Sequence, residues 1–329
     1  MKKEEGIKLC TLLISSKLRK YSTFSYMHNL KTNFDKILEI SKLALTEYML
    51  ADGNFFKYRN LPKLSDIEIV ALSITSEALG IDSENLLFSK LRTEYSGEFP
   101  NLIDRSNYNR RRKRLQDYIA LVAQPISEII NPDNHQFIID SVPVPICQNV
   151  RISRTSICRE DLHVQPSRGY HASHRLHYYG FKMQLIISKA GVPVSMGITA
   201  ANVHDVHYLS QLENLELNEC ELIADKGYLS LPYQTTLFEQ DRIRLITPLR
   251  NNMKKRTTLW NPSYRYVRKR VETLFSQLCD HLYIKRNYAK SLSGLFTRMC
   301  SKISGVAVLQ LINFKNNKPI NHLKHALAA

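Results

Sequence analysis

The stretch "LIADKGYLS" (222–230) sets a short apolar run, Leu222 to Ala224, directly against the carboxylate of Asp225, with Lys226 and Gly227 behind it. An apolar run bounded by turn residues reads as a short buried strand. Such a strand cannot cheaply hold an unpaired charge, so Asp225 belongs where the chain emerges toward solvent or a cation. On its own, an aspartate at a strand end is an ordinary turn cap. A second stretch repeats the pattern. "HQFIIDSVPV" (135–144) carries Phe137 to Ile139 up to Asp140, followed by Ser141. Two strands of one sheet that both end on an acid point to a shared site.

The segments around these strands give the fold class. "YGFKMQLIISKAGVPVSMGITAA" (179–201) reads as two strands joined at Ala190-Gly191, and "HDVHYLSQLENL" (204–215) as a helix with Asp205 as its cap, a supporting place behind the acids being the lesser alternative. A helix opened by Pro232 spans 231–241, and "RIRLITPL" (242–249) is a further strand. "YVRKRVETLFSQLCDHLYI" (266–284) places Val267, Val271, Leu274, Phe275, Leu278 and Leu282 at helical spacing. Strand, hairpin, helix, strand, helix, strand, helix is an α/β domain with a mixed sheet, here assigned to residues 131–315.

Residues 27–130 read as an all-α region. "LSDIEIVALSITSEALG" (64–80) has a capping box at Ser65 and Glu68, then apolar Ile67, Val70, Ile74 and Ala78, with Gly80 as a stop. A second helix starts at Asp82 or Ser83, and a third spans Tyr108 to Val122 before Pro125 interrupts it. Three short helices with tight connections fit a helix-turn-helix module or a plain bundle equally. Residues 1–26 form a loosely attached leader; the chain from Met27 reads like a natural start. Residues 316–329 are a basic tail.

Composition narrows the function. The chain has 46 Lys+Arg against 30 Asp+Glu, a net +16, which calls for a polyanion partner, most often nucleic acid. Six cysteines without a C-x-x-C pair argue against a disulfide framework and fit a reducing cytoplasm. No stretch approaches the ~18 apolar residues of a membrane span. His171, His174 and His177 lack a cysteine pair or a fourth ligand, which argues against zinc.

Glu272 is the third acid of interest. From Arg242 through Val271 there is no Asp or Glu, while ten Lys or Arg occur, so Glu272 is a lone carboxylate at the edge of a basic stretch. The plain alternative is an i,i+4 ion pair with Arg268. Three carboxylates can hold two Mg²⁺ ions, one activating the attacking oxygen and the other stabilising the leaving oxygen in a displacement at phosphorus. "NRRRKRL" (109–115) puts Arg110, Arg111, Arg112, Lys113 and Arg114 on all sides of a helix, where phosphate contact is the preferred reading. Lys254, Lys255, Arg256, Arg268 and Lys269 are further DNA-binding candidates. Trp260 could stack on an unpaired base or simply pack on the domain surface.

The order and wording of "FIIDSVPVPIC", "YYGFKMQLIISKAGVPVSMGITAANVHD", "LIADKGYLS" and "RKRVETLFSQL" resemble the DDE transposases of bacterial insertion sequences, most closely the insertion sequence 982 family. "LSDIEIVALSI" and "FPNLIDRSNYNRRRKRL" resemble the same family's amino-terminal part, and the likeness covers roughly residues 27–315. The resemblance implies an RNase H-like catalytic core and DNA cleavage at element ends followed by strand transfer. It further implies two Mg²⁺ (or Mn²⁺) ions, double-stranded terminal inverted repeats and target DNA as partners, a synaptic homo-oligomer, and a bacterial cytoplasmic, nucleoid-associated location. Asp140, Asp225 and Glu272 would be the metal ligands. Related enzymes carry a tyrosine, an arginine and a lysine around the glutamate. Arg268 fits the arginine, but Arg265 and Cys279 stand at the other two positions, leaving Lys269 or Lys285 to handle phosphate. A metal-dependent nuclease without strand transfer and a catalytically decayed DNA-binding protein are the alternatives.

Overall fold

The computed structural model describes residues 29–172, 175–214, 217–250, 253 and 260–327. Strand β1 (Gln136–Cys147) is central in a six-stranded sheet. Ile138, Ile139, Val142 and Val144 along it are all buried, as expected of a strand covered on both faces. On one side β1 pairs antiparallel with β3 (Leu176–Ser188). The hairpin at Ala190-Gly191 turns β3 into antiparallel β4 (Pro193–Ala200), with Gly191 at φ 91° supplying the left-handed corner. β2 (Ser167–His171) pairs with the first five residues of β3.

On its other side β1 pairs in parallel with β5 (Glu221–Ile223), and β5 with β6 (Arg244–Ile246). Helix α7 (Leu231–Asp241) connects β5 to β6, with Pro232 in its first turn as the sequence predicted. An antiparallel hairpin on one side of a central strand and two parallel strands on the other is the RNase H-like arrangement. One sheet face is covered by α7 and the 3-10 segment Asp205–Asn214, whose Tyr208, Leu209 and Leu212 pack on Ile139, Ile186 and Leu222.

The other face belongs to helices. In chain order these are α1 (Leu30–Ala44), α2 (Asp66–Ala78), α3 (Glu84–Thr93), α4 (Arg105–Arg114), α5 (Gln116–Leu121) and α6 (Ala123–Ile130), then α8 (Tyr264–Asp280) and α9 (Leu292–Lys315). The predicted capping box of α2 is present, with the Ser65 N–H donating to Glu68 Oε2 at 2.7 Å. Pro125 differs from its sequence reading. It lies in the first turn of α6, where a proline needs no donor, so it helps begin a helix instead of interrupting one. The connection between α3 and α4 runs from 94 to 104, too long for the tight turn of a helix-turn-helix pair.

Helix α9 carries no stripe that marks it in sequence, because it is buried all round. By length and composition alone it could cross a membrane, yet it lies inside the protein against α2, α5, α6 and β4. Its Arg298 and Lys302, together with Arg112 of α4, converge on the buried carboxylate of Glu77 on α2, with Arg298 Nε at 2.8 Å and Arg112 Nη2 at 3.1 Å. Burial pushes the Glu77 carboxyl up, but Lys302, Arg298 and Arg112 outweigh it and bring the pKa down to about 2. Through α9 the helical region and the sheet contribute to one hydrophobic cluster whose members run from Leu30 to Ala326.

Candidate active site

Register fixes the first two acids. Ile138 of β1 lies opposite Ile223 of β5 in the parallel pair. Asp140 and Asp225 each follow two residues later, with one difference from the sequence reading: β1 does not end on Asp140 but runs on to Cys147 because it stays paired with β3, whereas Asp225 lies two residues past the end of β5. Asp140 Oδ1 accepts from the Ser141 N–H at 2.8 Å. Asp225 Oδ1 accepts from the Lys226 N–H at 2.6 Å and caps the 3-10 turn Lys226–Tyr228. Gly227 has no left-handed φ, and a Cβ there would make only an ordinary contact with Asp205 Oδ2 at 3.4 Å, so neither backbone nor space requires a glycine.

A guanidinium lies between the two acids. Arg268, from α8, reaches Asp140 Oδ2 with Nη2 at 3.2 Å and Asp225 Oδ1 with Nη1 at 3.5 Å. The acids differ in setting: the Asp140 side chain is 19 % exposed and that of Asp225 50 %. Burial pushes the Asp140 carboxyl up to about 6, against the attraction of Arg268 and the Ser141 N–H, with the Asp225 charge adding to the rise. A desolvated carboxylate beside a second one, both facing a cation, is an oxygen donor set that fits a hard divalent ion. Arg268, read in sequence as a DNA phosphate contact, is thus paired with both acids in the structure.

Glu272 stands apart. It is exposed on α8, one helical turn beyond Arg268, and the predicted i,i+4 pair is not formed because Arg268 turns to the two aspartates. Among the described residues no three His, Cys, Asp or Glu side chains gather closely enough to hold a metal ion. The structure therefore brings Asp140 and Asp225 together and leaves Glu272 outside the pair.

Behind the acids lies a polar network of which sequence reasoning had weighed only Asp205, as the lesser alternative to a helix cap. Gln184 of β3, the register partner of Ser141, is fully buried. Its Oε1 accepts from the Tyr228 hydroxyl, and its Nε2 donates to Asp205 Oδ1 at 3.0 Å and Thr199 Oγ1 at 3.3 Å. Lys182 completes it with an ion pair to Asp205 Oδ1 at 2.7 Å. Asp205 is thus held by Lys182 and Gln184 instead of serving as the predicted helix cap. Burial, then the charges of Asp205 and Asp140, push the Tyr228 hydroxyl well above its ordinary range. The network ties the residue after Asp140 to the turn after Asp225. Its signal was present in sequence: Lys182 and Gln184 are the polar interruptions of an otherwise apolar strand.

The basic candidates separate by burial. On α4, Arg110 and Arg114 are exposed, Arg114 stacking over the Phe56 ring at 4.0 Å. Arg112 is 3 % exposed and paired with Glu77 and Glu84, so one member of the run turns into the core, where two carboxylates neutralise it. Arg111 is taken by Asp66 at 2.7 Å and the Leu64 carbonyl, and Lys113 donates to Ser291 Oγ at 3.1 Å. Trp260 is half-buried beside Tyr264 and against the core. Lys269 is exposed over the Tyr266 ring. Lys285 lies beside Cys279, whose thiol is pushed up by burial and drawn back by the lysine charge. Lys254, Lys255, Arg256 and His174 lie outside the described residues.

Residues 132–292, a span that includes all three acids, match the family model described as a transposase DDE domain. That match supports a DDE transposase. The chain is also similar to a solved structure, the piggyBac transposase synaptic complex with hairpin DNA, at 11 % identity and a TM-score of 0.44, covering 90 % of this chain and 76 % of that one. No curated protein matches the chain.

Proposed function

We propose that the chain is a transposase of the insertion sequence 982 type that cleaves DNA at the ends of a bacterial mobile element and joins them to a target. The observation that carries this reading is that one guanidinium, Arg268, reaches both Asp140, within β1, and Asp225, just past the end of β5, inside the segment that matches the DDE domain. Asp140 and Asp225 would hold Mg²⁺ or Mn²⁺, with Glu272 of α8 as the third acid. The ion would supply activation of a water or 3′-hydroxyl and charge stabilisation at phosphorus. The Gln184–Tyr228–Asp205 network fixes the spacing of the two aspartates. Exposed Arg110, Arg114 and Lys269, with the basic stretch before α8, would carry phosphate contacts, and two DNA ends in one complex call for more than one copy of the chain.

The test is an assay with element-end DNA and Mg²⁺, comparing wild type with Asp140→Asn, Asp225→Asn and Glu272→Gln. Cleavage and joined products from wild type alone are expected, with DNA binding retained by all. Cutting without joining would replace the transposase by a nuclease. Binding without cutting would replace it by a decayed DNA-binding protein.

A further inference from the structure

We propose that Arg268 is the built-in counter-cation of the Asp140–Asp225 pair, and that a divalent ion must compete with its guanidinium for those two carboxylates. The proposal rests on the metal-site reading above and adds a residue whose function is to oppose the ion. Three observations lead to it. The guanidinium fork spans both acids, one terminal nitrogen to each. Its Nε, buried, has no hydrogen-bond partner among the described residues, and its ion-pair partners there are the two aspartates, so nothing else holds the group in place. The Arg268 side chain is only 16 % exposed, on a helix anchored by buried Val271, Leu274 and Leu278, so its position follows that of α8.

The electrostatic consequence is direct. With Arg268 in place the cluster carries a net charge of −1; without it, two carboxylates on neighbouring strands face each other at −2. Removing the arginine raises the cost of the ion-free state through like-charge repulsion and removes a repulsion from the ion-bound state. Both changes favour a divalent cation. Lysine would keep the charge but not the two-pronged reach, because its ammonium is a single point. Arg268 also precedes Glu272 by one turn of α8, so a movement that withdraws the guanidinium moves the third acid as well. Arg268 would hold the site at −1 until the ion arrives.

The experiment is calorimetric titration of Mn²⁺ into the full chain without DNA, so catalysis is not the readout. Arg268→Gln is expected to bind Mn²⁺ about tenfold or more tightly than wild type, the scale of one adjacent unit charge at a partly buried carboxylate. Arg268→Lys should fall between them. In chelator Arg268→Gln should melt below wild type, and Mn²⁺ should restore more of its stability than it adds to wild type. Should Arg268→Gln not fold, the Arg268→Lys comparison decides by the same ordering. Wild-type or weaker affinity in Arg268→Gln, with Asp140→Asn abolishing binding, would overturn the competition while leaving the metal site standing. Undiminished binding in Asp140→Asn and Asp225→Asn would remove the metal-site reading itself, and the proposal with it. If wild type shows no binding, Arg268→Gln must show it; absence in both also overturns the proposal.

Discussion

Replacing Asp140 by asparagine should make the metal-free protein more stable at neutral and alkaline pH while destroying its chemistry. The Asp140 carboxyl is pushed from an ordinary 3.8 up to about 6 in the folded chain. The folded state therefore holds the proton more tightly than the unfolded state does. The stability associated with the neutral form is fully present below about pH 4 and is lost as pH rises through about 6. A rise of that size, from about 4 to about 6, corresponds to about 3 kcal/mol. Asparagine keeps an oxygen to accept from the Ser141 N–H and Arg268 but never ionises, so it should recover roughly 1–3 kcal/mol at about pH 8 and almost nothing at about pH 4. Urea denaturation in chelator across that range measures it, since a shift in midpoint at constant slope is a change in stability. Mg²⁺ should narrow the gap by stabilising wild type only. Asp140→Asn less stable than wild type at pH 8, or a difference that does not depend on pH, would refute the reasoning.

Other consequences follow from the same charges. Glu77→Gln would strand Arg112, Arg298 and Lys302 in the core, and a loss of about 3–5 kcal/mol is expected in the same urea experiment. Because the Glu77 pKa is brought down to about 2, its contribution should persist through mild acid and fade only as pH falls toward 2. Tyr228→Phe removes the hydroxyl that donates to buried Gln184, so about 1–3 kcal/mol of stability and a larger proportional loss of cleavage rate at saturating Mg²⁺ are expected. Arg110→Ala with Arg114→Ala should weaken DNA binding and flatten its salt dependence by about two units with little effect on stability. Arg112→Ala should do the reverse, measured by binding across salt concentrations and by thermal unfolding.

What could be read in sequence was local. The apolar runs leading to Asp140 and Asp225 and the hairpin at Gly191 announce themselves locally, and the capping box at Ser65 is a four-residue signal, but that β1 continues past Asp140 to Cys147 was not legible, because it depends on pairing with β3. Helix α9 was not legible, because a helix buried on every side has no polar face to set its period. The burial of Arg112 was equally hidden, since its carboxylates come from Glu77 and Glu84 on other helices and nothing in a run of arginines tells which one turns inward. Arg268 is the sharpest case. Its spacing to Glu272 suggested a helical ion pair or a phosphate contact, but its partners lie 128 and 43 positions away and only strand register brings them to it. Glu272 remains the acid whose place in the site rests on sequence likeness.

The most direct test of the central claim is Mg²⁺-dependent cutting of element-end DNA by Asp225→Asn beside wild type, with DNA binding measured in parallel. The expected result is that wild type cuts and joins while Asp225→Asn binds the same DNA and leaves it intact. Cutting by Asp225→Asn at the wild-type rate would contradict the claim that this strand ends on an acid in order to hold the ion.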